Sequence, residues 1–430
     1  MSERRIAGLD RWLAAALGCV AAAPRAAAQL TPFHRPMAAE EGADDDGSEF
    51  EWGLLDLFDV QAELGRSGEA VVRAGGRFAL DATRYDRRNA KSNGLSNPIV
   101  RPIVEGRAFD TWFRFEFDAV GVDSKRHAFD LWAARQFGDA VNVQVGQVRV
   151  AMASEYATRE ENSPLIGAAF TSYLTGRYDL GARVEAGFRG DSVGLEAAAV
   201  AGHGFGLEGE GKGDPLLLAR GTFQPFRASG AAALRGLYLG AAAAWQPDYS
   251  DEILVTTPLE SVVFTTADLD GDRALWGAIE AGWFCGPFRI AYEGTRGIVE
   301  NVEVPGGGSA DIDQLFAWTA TASLFLTGEH PQWRRGRWMA TPRSAESMPL
   351  ELAARYSNAD LDRQLFDRGL TTYNPSTQEV RTFSLGLAWY PEAGTRVALQ
   401  WVKTIADHEL DTFGFDNRDS SFVLRLEVDL

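Results

Sequence analysis

The last nine residues, Phe422 to Leu430, read FVLRLEVDL, and the fold turns on them. Phe422, Leu424, Leu426, Val428 and Leu430 fall on one side of an extended chain, with Arg425, Glu427 and Asp429 on the other, because successive side chains of a strand point to opposite faces. A soluble edge strand also has one apolar face. A strand that runs to the final residue is instead the habit of outer-membrane barrels, whose assembly machinery reads it. These five apolar positions are therefore the expected assembly signal, with Leu430 standing where Phe is more usual.

The same period-two pattern recurs upstream, between clusters of Gly, Pro, Asp and Asn that read as turns. Phe109, Thr111, Phe113, Phe115 and Phe117 oppose Asp110, Trp112, Arg114, Glu116 and Asp118. Phe316, Trp318, Ala320, Ala322, Leu324 and Leu326 oppose Thr319, Thr321 and Ser323. Phe383, Leu385, Leu387 and Trp389 oppose Ser384 and Gly386, and Val397, Leu399 and Trp401 oppose Arg396 and Gln400. Apolar residues make up 45% of the chain, yet its mean hydropathy is only −0.18. Strands that are apolar on one side only reconcile the two numbers. Trp245, Trp283, Tyr292, Trp389, Tyr390 and Trp401 fall near strand ends, where interfacial girdles sit. The pattern predicts an all-β fold, a transmembrane antiparallel β-barrel. A soluble sandwich with the faces inverted is the alternative.

The N-terminus favours export. Arg4, Arg5 and Arg11 precede an apolar stretch from Trp12 to Ala23, and Ala26-Ala27-Ala28 offers small residues for cleavage before Gln29. Residues 1–28 are read as a signal peptide; a lipobox ending at Cys19 and an amphipathic helix are the competing readings. Removing them takes away four basic and two acidic residues, so the formal charge moves from −18 to −20. Such a surface repels phosphate backbones, which excludes nucleic acid as a partner. Cys285 then has no second cysteine for an internal disulfide. Residues 29–68, with an acidic run from Glu40 to Glu51, read as a periplasmic lead-in, and 69–430 as the barrel. At roughly 25 residues per strand and connection, the chain gives about 16 strands, with 14 to 18 allowed. A barrel of that size keeps an aqueous channel.

Motifs for chemistry fail on inspection. Gly206 to Gly213 nearly spells a phosphate-binding loop, but Gly213 stands where Ser or Thr must hold magnesium. Asp268, Asp270 and Asp272 resemble a calcium loop, yet Ile279 occupies the position of the bidentate Glu. Asp407 and His408 are adjacent, so on a strand they are expected on opposite faces. No enzyme, cofactor or metal is expected. If the apolar faces meet lipid, Arg114, Arg289, Arg355, Arg396 and Arg425 point into the lumen, as do Glu116, Glu280, Glu293, Glu351 and Glu427. These charges either keep the channel wet or, as guanidinium groups that grip anions bidentately, handle anionic solutes.

Four segments, taken in order, resemble the phosphate-selective porin O/P family of Gram-negative outer membranes. Trp276 to Tyr292 (WGAIEAGWFCGPFRIAY) turns at Gly286-Pro287 as that family's paired strands do. Ser323 to Glu329 (SLFLTGE), Leu350 to Ser357 (LELAARYS) and Leu385 to Pro391 (LGLAWYP), the last followed by a strand at Thr395 to Val402, are similar to its later strands. Gly146-Gln147-Val148-Arg149 resembles the segment that opens its constriction, with Arg149 in place of a lysine. The resemblance implies a homotrimeric porin inserted in outer-membrane lipid by the barrel assembly machinery, with a loop near 150–172 folded inward. That loop carries Glu155, Arg159, Glu160 and Glu161, more acid than base. Passive diffusion of small hydrophilic or anionic solutes is therefore expected, phosphate among them, with weak selectivity. An adhesive or structural barrel is the alternative, and a soluble carbohydrate-binding sandwich a further one.

Overall fold

The computed structural model describes residues 60–64, 70–86, 89–120, 128–202, 215–339, 348–391 and 394–429. The stretch read as a signal peptide, most of the stretch read as an acidic lead-in, the glycine-rich stretch at 206–213 and Leu430 lie outside the described residues.

The chain is almost entirely β. The strands are β1 (Val60–Leu64), β2 (Ala70–Arg84), β3 (Gly94–Ala108), β4 (Thr111–Phe117), β5 (Ala128–Phe137), β6 (Val141–Ala151) and β7 (Gly176–Phe188). They continue with β8 (Val193–Val200), β9 (Leu216–Phe223), β10 (Tyr238–Asp251), β11 (Leu254–Thr256), β12 (Val262–Thr265), β13 (Leu269–Cys285) and β14 (Phe288–Glu303). The remainder are β15 (Ser309–Phe325), β16 (Gln332–Arg334), β17 (Arg337–Met339), β18 (Leu350–Leu361), β19 (Glu379–Trp389), β20 (Thr395–Leu410) and β21 (Asp416–Asp429). Among the described residues lie three short α-helices, α1 (Ser154–Ala157), α2 (Phe170–Thr175) and α3 (Gln364–Asp367).

Sixteen strands pair antiparallel with their neighbours and close on themselves where β21 meets β2, from Arg77↔Asp429 to Arg84↔Phe422. Closure leaves no free edge in lipid, where an unpaired backbone group would be costly. The C-terminal segment is thus the last stave of the barrel. β1, within the stretch read as a lead-in, pairs with Ala70–Ala74, the part of the β2 edge that β21 does not reach. The ribbons β11–β12 and β16–β17 stand outside the ring.

Connections differ at the two ends. Beside the C-terminus the chain turns in two residues between β3 and β4 and again between β13 and β14. In the latter turn Gly286 has φ 56°, which a residue with no Cβ adopts at little cost. The opposite, far end carries long connections, including 152–175 between β6 and β7, 252–268 between β10 and β13, and 362–378 between β18 and β19.

The alternation read from sequence has the expected sense along most strands. Leu399 is 52% exposed beside Gln400 at 1%, and Leu426 is 51% exposed beside Arg425 and Glu427, both buried. One part of the lumen departs from it. Towards the far end the inward face of β8–β19 is apolar: Val200, Leu218, Val299, Ile312, Leu361 and Val380 are buried there. They pack against Phe170 and Leu174 of α2, Val255 and Phe264 of β11–β12, and Leu365 and Phe366 around α3. The expectation was a wet lumen into which the charged residues of the alternating strands point. Instead the long connections fold back into the barrel and give it a dry core on one side. Tyr390 departs too: grouped with the girdle aromatics, it turns inward, and its hydroxyl donates to Glu351 Oε2 at 3.1 Å.

Candidate functional site

The site is the lumen at mid-height, where the connection 152–175 crosses it. Each contact joins a lumen-facing wall residue to the loop. Ser154 N donates to Glu280 Oε2 at 2.9 Å and Glu155 N to Glu293 Oε2 at 3.0 Å, on β13 and β14. Thr171 Oγ1 donates to the other oxygen of Glu293 at 2.5 Å. Arg355 of β18 donates to Glu155 Oε1 at 2.5 Å and to the Gly167 carbonyl at 2.9 Å. Arg396 of β20 donates to the Ser163 carbonyl at 2.6 Å, and Gln400 Oε1 accepts from Ile166 N at 2.7 Å. Further round the wall, Arg77 of β2 meets Glu160 at 2.8 Å and Arg159 meets Asp130 of β5 at 2.6 Å. Gly167 has φ 73°, and a Cβ there would lie 2.0 Å from the Pro258 carbonyl oxygen, so the loop tip packs backbone to backbone on the β11–β12 ribbon.

Glu280, Glu293, Arg355 and Arg396, read from sequence as lumen charges, therefore hold the loop in place. The remaining candidates pair within the wall. Arg289 donates to Glu351 at 2.9 Å, and Arg425 grips Asp81 through two N–H groups at 2.7 and 2.8 Å. Arg114 meets Glu105 at 2.5 Å and Glu116 at 2.9 Å. Glu427 bridges Arg77 at 2.9 Å and Arg396 at 2.7 Å. A buried pair of this kind contributes little net stability, since desolvation offsets the attraction, but loss of one partner leaves an uncompensated charge.

Arg149 differs. Its guanidinium lies over the rings of Tyr156, at 4.6 Å, and Tyr178, at 5.5 Å, with no carboxylate contact among the described residues. It is Arg159 that shares a carboxylate with Arg114: Asp130 lies 3.3 Å from Arg114 Nε and 2.6 Å from Arg159 Nη2. Within the loop, partial desolvation inside the lumen would by itself raise the pKa of Glu160. The arginines around it, Arg101 and Arg77 first, outweigh that desolvation and hold the carboxylate well below the usual range.

Asp407 and His408 make contact, contrary to the strand argument: His408 Nδ1 lies 2.7 Å from Asp407 Oδ1. The β20–β21 register breaks between Ile405 and Leu410, so strict alternation fails there. His408 Nε2 faces the Tyr373 and Ser376 carbonyls, both at 2.9 Å, so the pair ties down the connection 362–378. Asp270 and Asp272 lie in β13, not in a loop, and among the described residues no cluster suits a metal ion.

The ribbon β16–β17 was missed in the sequence, although Trp333-Arg334-Arg335-Gly336-Arg337-Trp338 carries a hairpin signal. Trp333 pairs with Trp338, and Arg334 with Arg337, around a turn with positive φ at Arg335 and Gly336. It enters the lumen from the C-terminal end, and Trp338 N donates to Thr158 Oγ1 of the inward loop at 3.1 Å.

A closed 16-strand barrel, apolar outside and crossed by an inward loop, is the architecture of outer-membrane porins. The chain belongs to the phosphate-selective porin O and P family, whose model matches residues 72–430. It is an outer-membrane porin. No curated protein matches the sequence. Among solved structures, OmpT of Vibrio cholerae is similar at 12% identity and a TM-score of 0.52, covering 86% of this chain and 100% of that one. The channel DcaP of Acinetobacter baumannii is similar at 12% identity and TM-score 0.51, over 86% and 100%. An anion-selective porin from Comamonas acidovorans is similar at 10% identity and TM-score 0.51, over 84% and 100%.

Proposed function

We propose that this porin conducts small hydrophilic solutes with weak charge selectivity, and that the path runs past the loop 152–175 along the wall β2–β5 and β20–β21. The observation that carries the reading is the pairing of the lumen arginines. Arg77, Arg114, Arg159, Arg289, Arg355, Arg396 and Arg425 each lie within 3 Å of a carboxylate oxygen. A passing ion then meets alternating charges within the screening length of about 8 Å, and neither sign is excluded. Most long connections lie at the far end and most tight turns beside the C-terminus, with 326–349 the main exception, which suits an extracellular and a periplasmic side respectively. The family and the trimeric form of the OmpT neighbour support a homotrimer.

A more anion-selective reading is favoured by buried guanidinium donors that have no hydrogen-bond acceptor among the described residues, Arg77 Nη2, Arg101 Nε, Arg149 Nε and Arg396 Nε among them. These are groups that phosphate or a carboxylate solute would bridge. Planar bilayers under a salt gradient separate the two readings. A small reversal potential, with chloride current unaffected by micromolar phosphate, supports weak selectivity. Strong anion selectivity with a phosphate block that disappears in Arg149→Ala overturns it.

A further inference from the structure

We propose that the outer wall formed by β19, β20, β21 and β2 binds a multiply phosphorylated lipid. Its headgroup phosphates are held by Arg84, Arg381, Lys403 and Arg418, and its acyl chains lie on the apolar strand faces below. The site is outside the channel and does not depend on what the lumen conducts.

Parity places the four bases on the outside. Val402 and Thr404 are buried on the lumen side of β20, so Trp401, Lys403 and Ile405 face out. In the same way buried Thr382 and Ser384 turn Arg381 and Phe383 outward on β19, Asp419 and Ser421 turn Arg418 and Phe422 outward on β21, and Thr83 turns Arg84 outward on β2. Lys403 is paired with Phe383 on one side and Ser420 on the other, and Ile405 with Arg381 and Arg418. With strands about 4.8 Å apart and about 3.4 Å per residue, the Cα atoms of Arg381 and Arg418 each stand about 8 Å from that of Lys403. Arg84 lies opposite Phe422 and completes the arc.

An aromatic band marks where the membrane ends. The rings of Trp318 and Tyr356 lie 5.2 Å apart and those of Phe383 and Trp401 5.9 Å apart. Tyr356 is paired with Phe383, and Trp401 with Phe422, so the band runs unbroken from β15 to β21, as an interfacial girdle does. Below it, towards the C-terminal end, Leu385, Leu387, Leu399, Leu424 and Leu426 are exposed. Above it, on the side of the long connections that the porin reading turns outward, the bases begin. A lipid that spans this boundary meets apolar wall along its chains and cations at its headgroup.

Charge decides the headgroup. The chain carries −18, so an arc of four outward bases runs against its average. Among the described residues only Arg381 of the four is paired, donating to Glu379 at 2.9 and 2.6 Å. Asp407, next on the outer face of β20, is engaged by His408 and Thr377. A base elsewhere on the outer wall is matched: Arg273 of β13 meets Glu300 at 2.6 Å. Three unpaired cations at headgroup level call for an anion of more than one charge, and a phosphate monoester offers them three strong acceptor oxygens.

The test uses the full-length protein in detergent and three probes: bisphosphorylated lipid A, the same lipid stripped of its phosphates, and inorganic phosphate alone. A heat-modifiable band first shows an assembled barrel, and native mass spectrometry then counts bound lipid. Lys403→Gln with Arg418→Gln should weaken lipid A binding roughly thirtyfold, whereas Arg273→Gln should leave it as in the wild type. Binding to the wild type should also fall as salt rises. Single-channel conductance should be equal in all three proteins, because the lumen is untouched. Equal binding of the phosphorylated and stripped lipids to the wild type would overturn the proposal without any variant. So would an assembled double variant that retains lipid A. A double variant that loses its trimer and keeps its lipid would make this face a contact between copies and overturn it too. Loss of inorganic phosphate binding with lipid A binding intact would count the same way.

Discussion

Glu160→Gln removes one negative charge from the constriction and should turn the channel towards anions. Glu160 reaches the lumen water, its side chain being 49% exposed, while it lies 2.8 Å from Arg77 and 3.7 Å from Arg101. A monovalent ion passing at about 6 Å gains or loses about 0.7 kcal/mol from a unit charge in water, reduced to about 0.3 kcal/mol by physiological salt. Anion and cation shift in opposite directions, so their permeability ratio should change roughly three- to tenfold, more at low salt. The substitution is close to isosteric and keeps a hydrogen-bond acceptor for Arg77, so the loop should stay seated. The assay is the zero-current potential in planar bilayers under a KCl gradient, at low and high ionic strength. An unchanged potential at both strengths would refute the placement of Glu160 beside the ion path.

Glu160 also sets a pH expectation. Its folded pKa is depressed, so its share of the loop tether is fully present above the ordinary carboxylate range and is lost only as pH falls through the lowered value. Selectivity should therefore be flat from pH 8 down to about 4.5 as far as this group is concerned; a titration of the reversal potential across that window that disappears in Glu160→Gln would contradict it. In the wall, Glu351→Ala strands Arg289 and should cost about 3–5 kcal/mol, whereas Arg289→Met with Glu351→Leu should be close to neutral. Denaturant unfolding in lipid measures both, and a double variant less stable than either single one would count against a paired buried charge. Leu399→Arg puts a charge on the lipid face and should cost about 2–4 kcal/mol if it lies near the bilayer midplane. Barrel yield equal to wild type would argue against lipid contact at that position.

Much of the barrel was legible because alternation is a local property. On β19 and β21 each residue's face follows from its parity, and parity survives wherever pairing is regular. The inward direction of Arg289, Arg355 and Arg425 follows from the same rule, since the residues beside them are apolar. Where the register breaks, the rule fails, as at Asp407 and His408. Tyr390 could not be placed either, because it lies just past the end of β19, where no ladder dictates its direction.

The sequence by itself determined a transmembrane barrel, its approximate strand number and its family, because the solvents on the two faces of each strand impose a pattern that one chain segment displays alone. Only the tertiary structure decided what fills the lumen. Whether Glu293 faces water or binds Thr171, and whether Arg149 meets an anion or two tyrosine rings, depends on where the loop 152–175 folds. The apolar inner face of Val299, Ile312 and Leu361 likewise has a partner only once α2 and the far-end connections turn inward. Gly187 and Gly194 are approached by Arg335 only because β7 and β8 set them opposite each other, with Arg335 arriving from some 140 residues further along the chain. Contacts of that reach depend on the whole closed ring, and no local period in the sequence encodes them.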